Sequence, residues 1–374
     1  MRNVRVLWFV LPALLLAPCF ASARQYLVYF GTYTAQQSEG IYAARFDDES
    51  GALESLGLAA PILNPSFLTI DVAGEHLYAV SELGDSRVSA FKIDRTTAKL
   101  TFINAVSAHG SLACHLAIDA TGKTLAIANY GSGSVATYRI RDDGGLEEAK
   151  SFIEHTGSSV TPRQSSPHAH CVNYSANNRF VLAADLGTDE VKIYRLNASD
   201  GSLTPNDPPA AKVKPGSGPR HFAFHPGGSF GYVLNEIAST VTAFGWNASN
   251  GTLSETQTIS TLPDGFDGRN STAEIEAHPS GKFIYASNRG HNSIAVFASD
   301  AATGRLSVVE RVSSGGSTPR SFGVHPSGRW FFSANQNSDN VVLFRIDPAS
   351  GKLTRAGKEL AIDAPVCVQF LALD

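Results

Sequence analysis

The sequence predicts an all-β protein, a seven-bladed β-propeller whose last blade is closed by N- and C-terminal strands. Three observations carry that expectation. A turn-and-leucine motif recurs seven times, a second repeat of paired apolar strands recurs only six times, and a strand-like segment near each end of the chain supplies the missing seventh. Runs such as Phe180-Val181-Leu182-Ala183-Ala184 and Phe283-Ile284-Tyr285-Ala286 have the length and aromatic content of buried strands, and no segment shows convincing helical periodicity.

From the N-terminus, Met1–Ala23 reads as a signal peptide. Arg2 and Arg5 give a positive start, Val6 to Ala17 an apolar run, and Ala21-Ser22-Ala23 a small-residue cleavage site before Arg24. The run is short for a bilayer and contains Pro12, which argues against an anchor; Pro18 before Cys19 argues against lipid attachment. The expectation is a secreted or periplasmic protein whose mature domain, 24–374, makes no membrane contact after cleavage. Cys114, Cys171 and Cys367 remain, without any Cys-x-x-Cys spacing, so no zinc site is expected. Each opens an apolar strand and reads as a buried thiol, although an oxidising compartment would allow one disulfide among them. The formal net charge is −4 and the basic residues form no blocks, which excludes nucleic acid as an expected partner. The sequence specifies no oligomeric state.

The first repeat is Ser50-Gly51-Ala52-Leu53, Ala98-Lys99-Leu100, Gly144-Gly145-Leu146, Gly201-Ser202-Leu203, Gly251-Thr252-Leu253, Gly304-Arg305-Leu306 and Gly351-Lys352-Leu353. The leucines lie 47, 46, 57, 50, 53 and 47 residues apart, close to the blade period of propeller arrays. Each copy reads as a hairpin turn in which glycine supplies backbone freedom and leucine restarts the strand. In the second repeat a Pro-x start leads through an apolar strand, a polar turn and another apolar strand to an asparagine or acid. Its turns lie at Asp71, Asp119, Ser175, His225, His278 and His325, and the three His-Pro turns read as structural. The seventh copy is split: Pro365–Phe370 matches Pro65–Ile70, and Tyr26–Thr32 matches the strand that should follow. A ring of sheets leaves an unpaired edge unless its two chain ends share one blade.

Equivalent ends of the inner strands should ring one axial mouth. The Pro-x positions hold Ser66, Cys114, His170, Arg220, Ala273 and Arg320; fifteen residues later come Ser81, Asn129, Asp185, Asn235, Asn288 and Asn335, followed by Glu82, Tyr130, Leu186, Glu236, Arg289 and Gln336. Such asymmetric rings point to an asymmetric ligand. Arg220, Arg289 and Arg320 suit a carboxylate or phosphate, because guanidinium is a planar, permanently charged donor fork; the competing reading pairs them with Asp185, Glu236 and Glu274. In Pro167-His168-Ala169-His170, alternation points both imidazoles the same way, making His170 the candidate proton-transfer group and His168 a candidate contact. Glu236 is the second acid–base candidate. The Asn/Asp ring would offer oxygens to calcium, but neighbouring arginines would repel a cation and such asparagines commonly cap turns, so no metal is expected.

Several stretches together resemble the lactonase family that includes propeller-type 6-phosphogluconolactonases and fungal carboxymuconate lactonising enzymes. They are Ala113-Cys114-His115 with Asn129-Tyr130-Gly131, Pro167-His168-Ala169-His170 with Asp185-Leu186-Gly187, Gly218-Pro219-Arg220-His221 with Asn235-Glu236, Ala273-Glu274-Ile275 with Asn288-Arg289-Gly290-His291, and Pro319-Arg320 with Asn335-Gln336-Asn337. The resemblance implies a metal-independent, cofactor-free site with catalytic residues His170, Arg220, Glu236 and Arg289. His168, Asp185, Asn235, Glu274, Asn288 and Arg320 would bind a small-molecule lactone. The expected activity is hydrolysis of a sugar lactone or related anionic lactone, that is, a carboxylic ester hydrolase of 6-phosphogluconolactonase type. The alternatives are a carboxymuconate-type cyclisation and a noncatalytic binding propeller. A binding platform calls for a wide apolar mouth, an enzyme for a narrow polar cavity with a perturbed histidine or glutamate.

Overall fold

The computed structural model of the chain describes residues 25–34 and 37–373; the expected signal peptide, Met1–Ala23, lies outside them. The described residues form seven four-stranded antiparallel sheets. Blade 1 contains Leu68–Ile70, His76–Ser81, Arg87–Ile93 and Leu100–Ser107. Blade 2 contains Ala113–Ile118, Thr124–Asn129, Ser134–Ile140 and Leu146–Glu154. Blade 3 contains Ala169–Tyr174, Phe180–Asp185, Glu190–Leu196 and Leu203–Lys212. Blade 4 contains Pro219–Phe224, Phe230–Asn235, Thr240–Asn247 and Thr252–Ser260. Blade 5 contains Ser271–Ala277, Phe283–Arg289, Ser293–Ser299 and Leu306–Ser313. Blade 6 contains Pro319–Val324, Trp330–Asn335, Asn340–Ile346 and Leu353–Ala361. Blade 7 is the expected clasp: the inner strand Pro365–Ala372 pairs with Gln25–Thr32, which continues into Gly40–Asp47 and Ala52–Pro61.

Alternation along the strands builds the core. In Gln25–Thr32, Leu27 and Tyr29 pack toward blade 1, while Tyr26, Val28 and Phe30 pack toward blade 6. The outer strands bury less; Leu146–Glu154 alternates part-buried and exposed residues after its buried first leucine. At roughly 25 cal/mol per Å² of apolar area, these blade-to-blade faces are the main source of stability.

The turn repeat has a packing reason as well as a conformational one. Gly351 sits at φ 74°, and a Cβ there would come within 2.5 Å of the Phe283 ring of the neighbouring blade. Its carbonyl accepts a hydrogen bond from Tyr285 Oη at 2.9 Å, as Gly144 O does from Tyr78 Oη. Each turn is thus stapled to a preceding blade. The His-Pro turns do the same: His225 Nε2 is 2.8 Å from Gly281 O and His278 Nε2 is 2.8 Å from Gly328 O. Cys114, Cys171 and Cys367 are buried and free, so no disulfide joins any pair of them. Among the described residues no helix is long and apolar enough to cross a membrane.

Candidate active site

The site is built by bulges. In blades 2, 3, 4 and 6 the pairing slips by one residue just inside the inner strand: Ala113 and His115, Ala169 and Cys171, Pro219 and His221, and Pro319 and Ser321 pair with consecutive partners. The residues left over are Cys114, His170, Arg220 and Arg320. A bulge releases one residue from the ladder and re-aims its side chain, which here delivers those groups to the axis. The second contribution comes, in five of the seven blades, from the residue that follows the second strand or ends it: Tyr33, Glu82, Tyr130, Glu236 and Arg289.

Most of these groups border a cavity of about 240 Å³ lined by Tyr33, Glu82, Tyr130, Arg163, His170, Glu236, Arg289 and Arg320, with Cys114 and Arg220 outside the lining. Glu236 is its electrostatic centre. Oε1 lies 2.8 Å from Arg163 Nη1, and Oε2 lies 3.0 Å from Arg220 Nε and 3.1 Å from Arg289 Nη2. Arg220 Nη1 and Arg289 Nη2 also donate to the carbonyls of Ala273 and Thr272. The Nε–H groups of both arginines nevertheless lack a hydrogen-bond partner; the short Arg220 contact is an ion pair whose N–H is not aimed at the carboxylate. Arg320 lies over the Tyr33 ring at 5.1 Å, with Nη2 3.8 Å from Glu82 Oε2. Tyr33 Oη donates to the same Glu82 oxygen at 2.8 Å.

These contacts set the charge states. Burial opposes ionisation of Glu236, but the guanidiniums of Arg289, Arg220 and Arg163 outweigh it and hold the carboxyl at about 2. Burial lowers Arg289 to about 9 despite Glu236 beside it. His170 is driven well below its ordinary value by burial first, then by Arg220, His221 and Arg320. It is therefore a neutral imidazole near pH 7 with a lone pair free for a hydrogen bond, whereas Glu236 is a clamped anion.

Of the expected contacts, the structure brings His170, Glu236, Arg289 and Arg320 together in the cavity lining, while Arg220 is paired with Glu236 but does not itself line the cavity. Asp185, Asn235 and Asn288 do not line the cavity. Successive strand residues face opposite ways, so when Glu236 and Arg289 face the axis, Asn235 and Asn288 turn into their blades. Asn235 Nδ2 donates to Thr240 and Thr242, Asn288 Nδ2 to Thr261 O. Asp185 accepts from the amides of His168, Gly187 and Thr188 and contacts His155 Nδ1 at 2.6 Å. Glu274 also lies elsewhere: the slip between Thr272 and Ile275 sets it deeper, against His221 and a second cavity. His168 stacks on Tyr130 at 4.5 Å and donates from Nδ1 to its carbonyl, so it supports the wall rather than lining the cavity.

Sequence reasoning missed Tyr33 and Arg163. Thr32 pairs with Pro365 as Asn129 pairs with Ala113, so extending the alignment to the split blade leads to Tyr33. Arg163 sits in a short 3-10 turn, Pro162–Gln164, within the one repeat whose leucine spacing stretches to 57 residues. It reaches Glu236 and donates to Tyr130 Oη at 3.0 Å.

Fold and cavity define a seven-bladed propeller with a buried, polar, arginine-bordered site on its axis. The chain belongs to the seven-bladed β-propeller lactonase family, whose model, described as "Lactonase, 7-bladed beta-propeller", matches residues 27–370. It is 37% identical to a 6-phosphogluconolactonase of Bacillus subtilis over 348 residues, covering 93% of this chain and 99% of that one. It is 34% identical to a 6-phosphogluconolactonase of Formosa agariphila over 304 residues, covering 79% and 85%. The solved structure of the periplasmic gluconolactonase of Pseudomonas aeruginosa superposes with a TM-score of 0.89 at 34% identity, covering 94% of this chain and 100% of that one.

Proposed function

We propose that the protein hydrolyses a sugar lactone in the axial cavity. The observation that carries this reading is a neutral, buried His170 beside Arg220 and Arg289, whose Nε–H groups lack hydrogen-bond partners. A water held by His170 attacks the lactone carbonyl; the O–H bond breaks toward the imidazole as the new C–O bond forms. Charge developing on the carbonyl oxygen meets the guanidinium donors of Arg289 or Arg320, which line the cavity and are already held by protein contacts, so that little reorganisation is required; Arg220, outside the lining, acts through its ion pair with Glu236. Collapse breaks the ring C–O bond, and the imidazolium returns its proton to the leaving alkoxide. Catalytic roles fall to His170, Arg289 and Arg320. Glu236, clamped as an anion, keeps three like charges close together and positions them.

The lactonase names of the relatives support hydrolysis over cyclisation, and the narrow polar cavity supports an enzyme over an apolar docking platform. The leader-like Met1–Ala23 and the likeness to a periplasmic gluconolactonase support action outside the cytoplasm on an unphosphorylated aldonolactone. The test is proton release on glucono-lactone, its 6-phosphate and a muconolactone, beside an Arg289→Ala control. Turnover fastest on glucono-lactone and lost in the control is expected. Preference for the phosphate ester would overturn the substrate assignment, and no turnover on any of them would overturn the hydrolase.

A further inference from the structure

The axial channel continues beyond the floor of the site. Past a partition of imidazoles lies a second cavity of about 280 Å³, whose lining includes His115, His221, Glu274 and Glu276. His170 lines the first cavity and His221 the second, with ring centroids 5.3 Å apart. His221 Nδ1 lies 2.6 Å from Glu274 Oε1, whereas its Nε2 is buried without a hydrogen-bond partner. One nitrogen is committed to a carboxylate and the other is open, the arrangement a proton-carrying histidine needs.

Lactone hydrolysis releases one proton per turnover, because the hydroxy acid formed ionises. That proton appears among Arg163, Arg220, Arg289 and Arg320, with Glu82 and Glu236 both tied to these cations. Leaving past the guanidiniums at the near mouth is electrostatically uphill, and moving toward carboxylates beyond the partition is downhill.

We propose that His221 and Glu274 form a proton relay that carries the product acid's proton from His170 into the far cavity. The product carboxylic acid gives its proton to His170, neutral again after the alkoxide has been protonated; His221 Nε2 takes that proton from His170 while the Nδ1 proton passes to Glu274 Oε1. Glu274 releases it to water in the far cavity, and a flip of the ring turns the nitrogen now without a proton toward His170, ready for the next one. Around this pair stand His115 from blade 2, His170 from blade 3, Arg220 and Glu236 from blade 4, Glu276 and Arg289 from blade 5, and Arg320 from blade 6. Burial pushes Glu274 up to about 7 against Arg220 and His115, and burial with Glu274 beside it pushes Glu276 up to about 8. Carboxyls in that range accept and release protons near neutrality.

The relay rests on the hydrolytic reading, and the experiment separates the two. Steady-state proton release on glucono-lactone is compared for the wild type, Glu274→Gln and His221→Gln across pH, in H₂O and D₂O, with and without imidazole. The relay predicts kcat lower by roughly ten- to a hundredfold in both variants at unchanged KM. The wild-type rise of kcat as Glu274 ionises through about 7 should vanish, the solvent isotope effect should grow, and imidazole should restore much of the loss. Variants within twofold of wild type with the same pH profile, or a loss that imidazole leaves unchanged, would overturn it. If the wild type turns over no lactone, the hydrolase falls and histidine NMR titration decides the relay. The His170 and His221 resonances must then shift together in Glu274→Gln; a change confined to His221 sinks the idea.

Discussion

Glu236 meets Arg163, Arg220 and Arg289 within 3.1 Å, and its ionisation is a stability term as well as a functional one. The folded value of about 2 lies below the ordinary 4.5. Its contribution is therefore present above about pH 4.5 and is lost as pH falls through about 2. Arg163 is half exposed and adds little, whereas Arg220 and Arg289 are buried. Glu236→Gln leaves their charges uncompensated and should cost about 3 kcal/mol at pH 7, narrowing toward zero as pH falls through about 2. Urea unfolding at both pH values checks this, and equal losses at the two would show that the cost is packing rather than charge. Catalysis should fall as well, through displacement of Arg289.

The inner strands and their turns explain what the sequence could and could not convey. Blade equivalence was legible because each turn needs a residue at positive φ followed by a strand-starting leucine; Ala98, at φ 60°, shows that glycine is the usual but not the required occupant. Equivalence in turn placed His170, Arg220, Glu236, Arg289 and Arg320 at one mouth. The bulges were not legible, because register depends on partner strands, and that is why Glu274 was expected with the arginines but lies in the far cavity. Asp185, Asn235 and Asn288 were expected beside their neighbours although strand alternation turns them away. Two outcomes belong to this scale. Gly351→Ala should lose about 1 to 3 kcal/mol through the strained positive φ and the Phe283 contact, whereas Tyr285→Phe should lose only about 1 kcal/mol for its hydrogen bond; thermal melts of both test the staple. Glu276 binds its proton more tightly folded than unfolded, so it destabilises the fold increasingly from about pH 4.5 up to about 8. Glu276→Gln should match wild-type Tm near pH 4.5 and exceed it at pH 8; a constant offset would contradict that.

The molecule as a whole is a ring closed by one non-local pairing, Gln25–Thr32 on Pro365–Ala372. Removing Pro365–Asp374 exposes an edge strand and strips packing from blades 1 and 6, so the truncated chain should lose its single cooperative melt; an unchanged melt would show that blade stacking alone closes the ring. Closure also fixes the axis, where guanidiniums from blades 4, 5 and 6 converge with an imidazole from blade 3. An open arc would not hold that geometry. The axis is divided into an arginine-bordered cavity and a carboxylate-bearing one by a row of buried histidines, a polarity that suits a reaction which turns a neutral ester into an anion and a proton. The most direct test is kcat/KM for the preferred lactone in His170→Gln, with an unchanged melting temperature confirming the fold. A fall of about 10² to 10⁴ is expected if this imidazole accepts the proton of the attacking water; a value within tenfold of wild type would contradict the assignment of the axial cavity as the place where the lactone is opened.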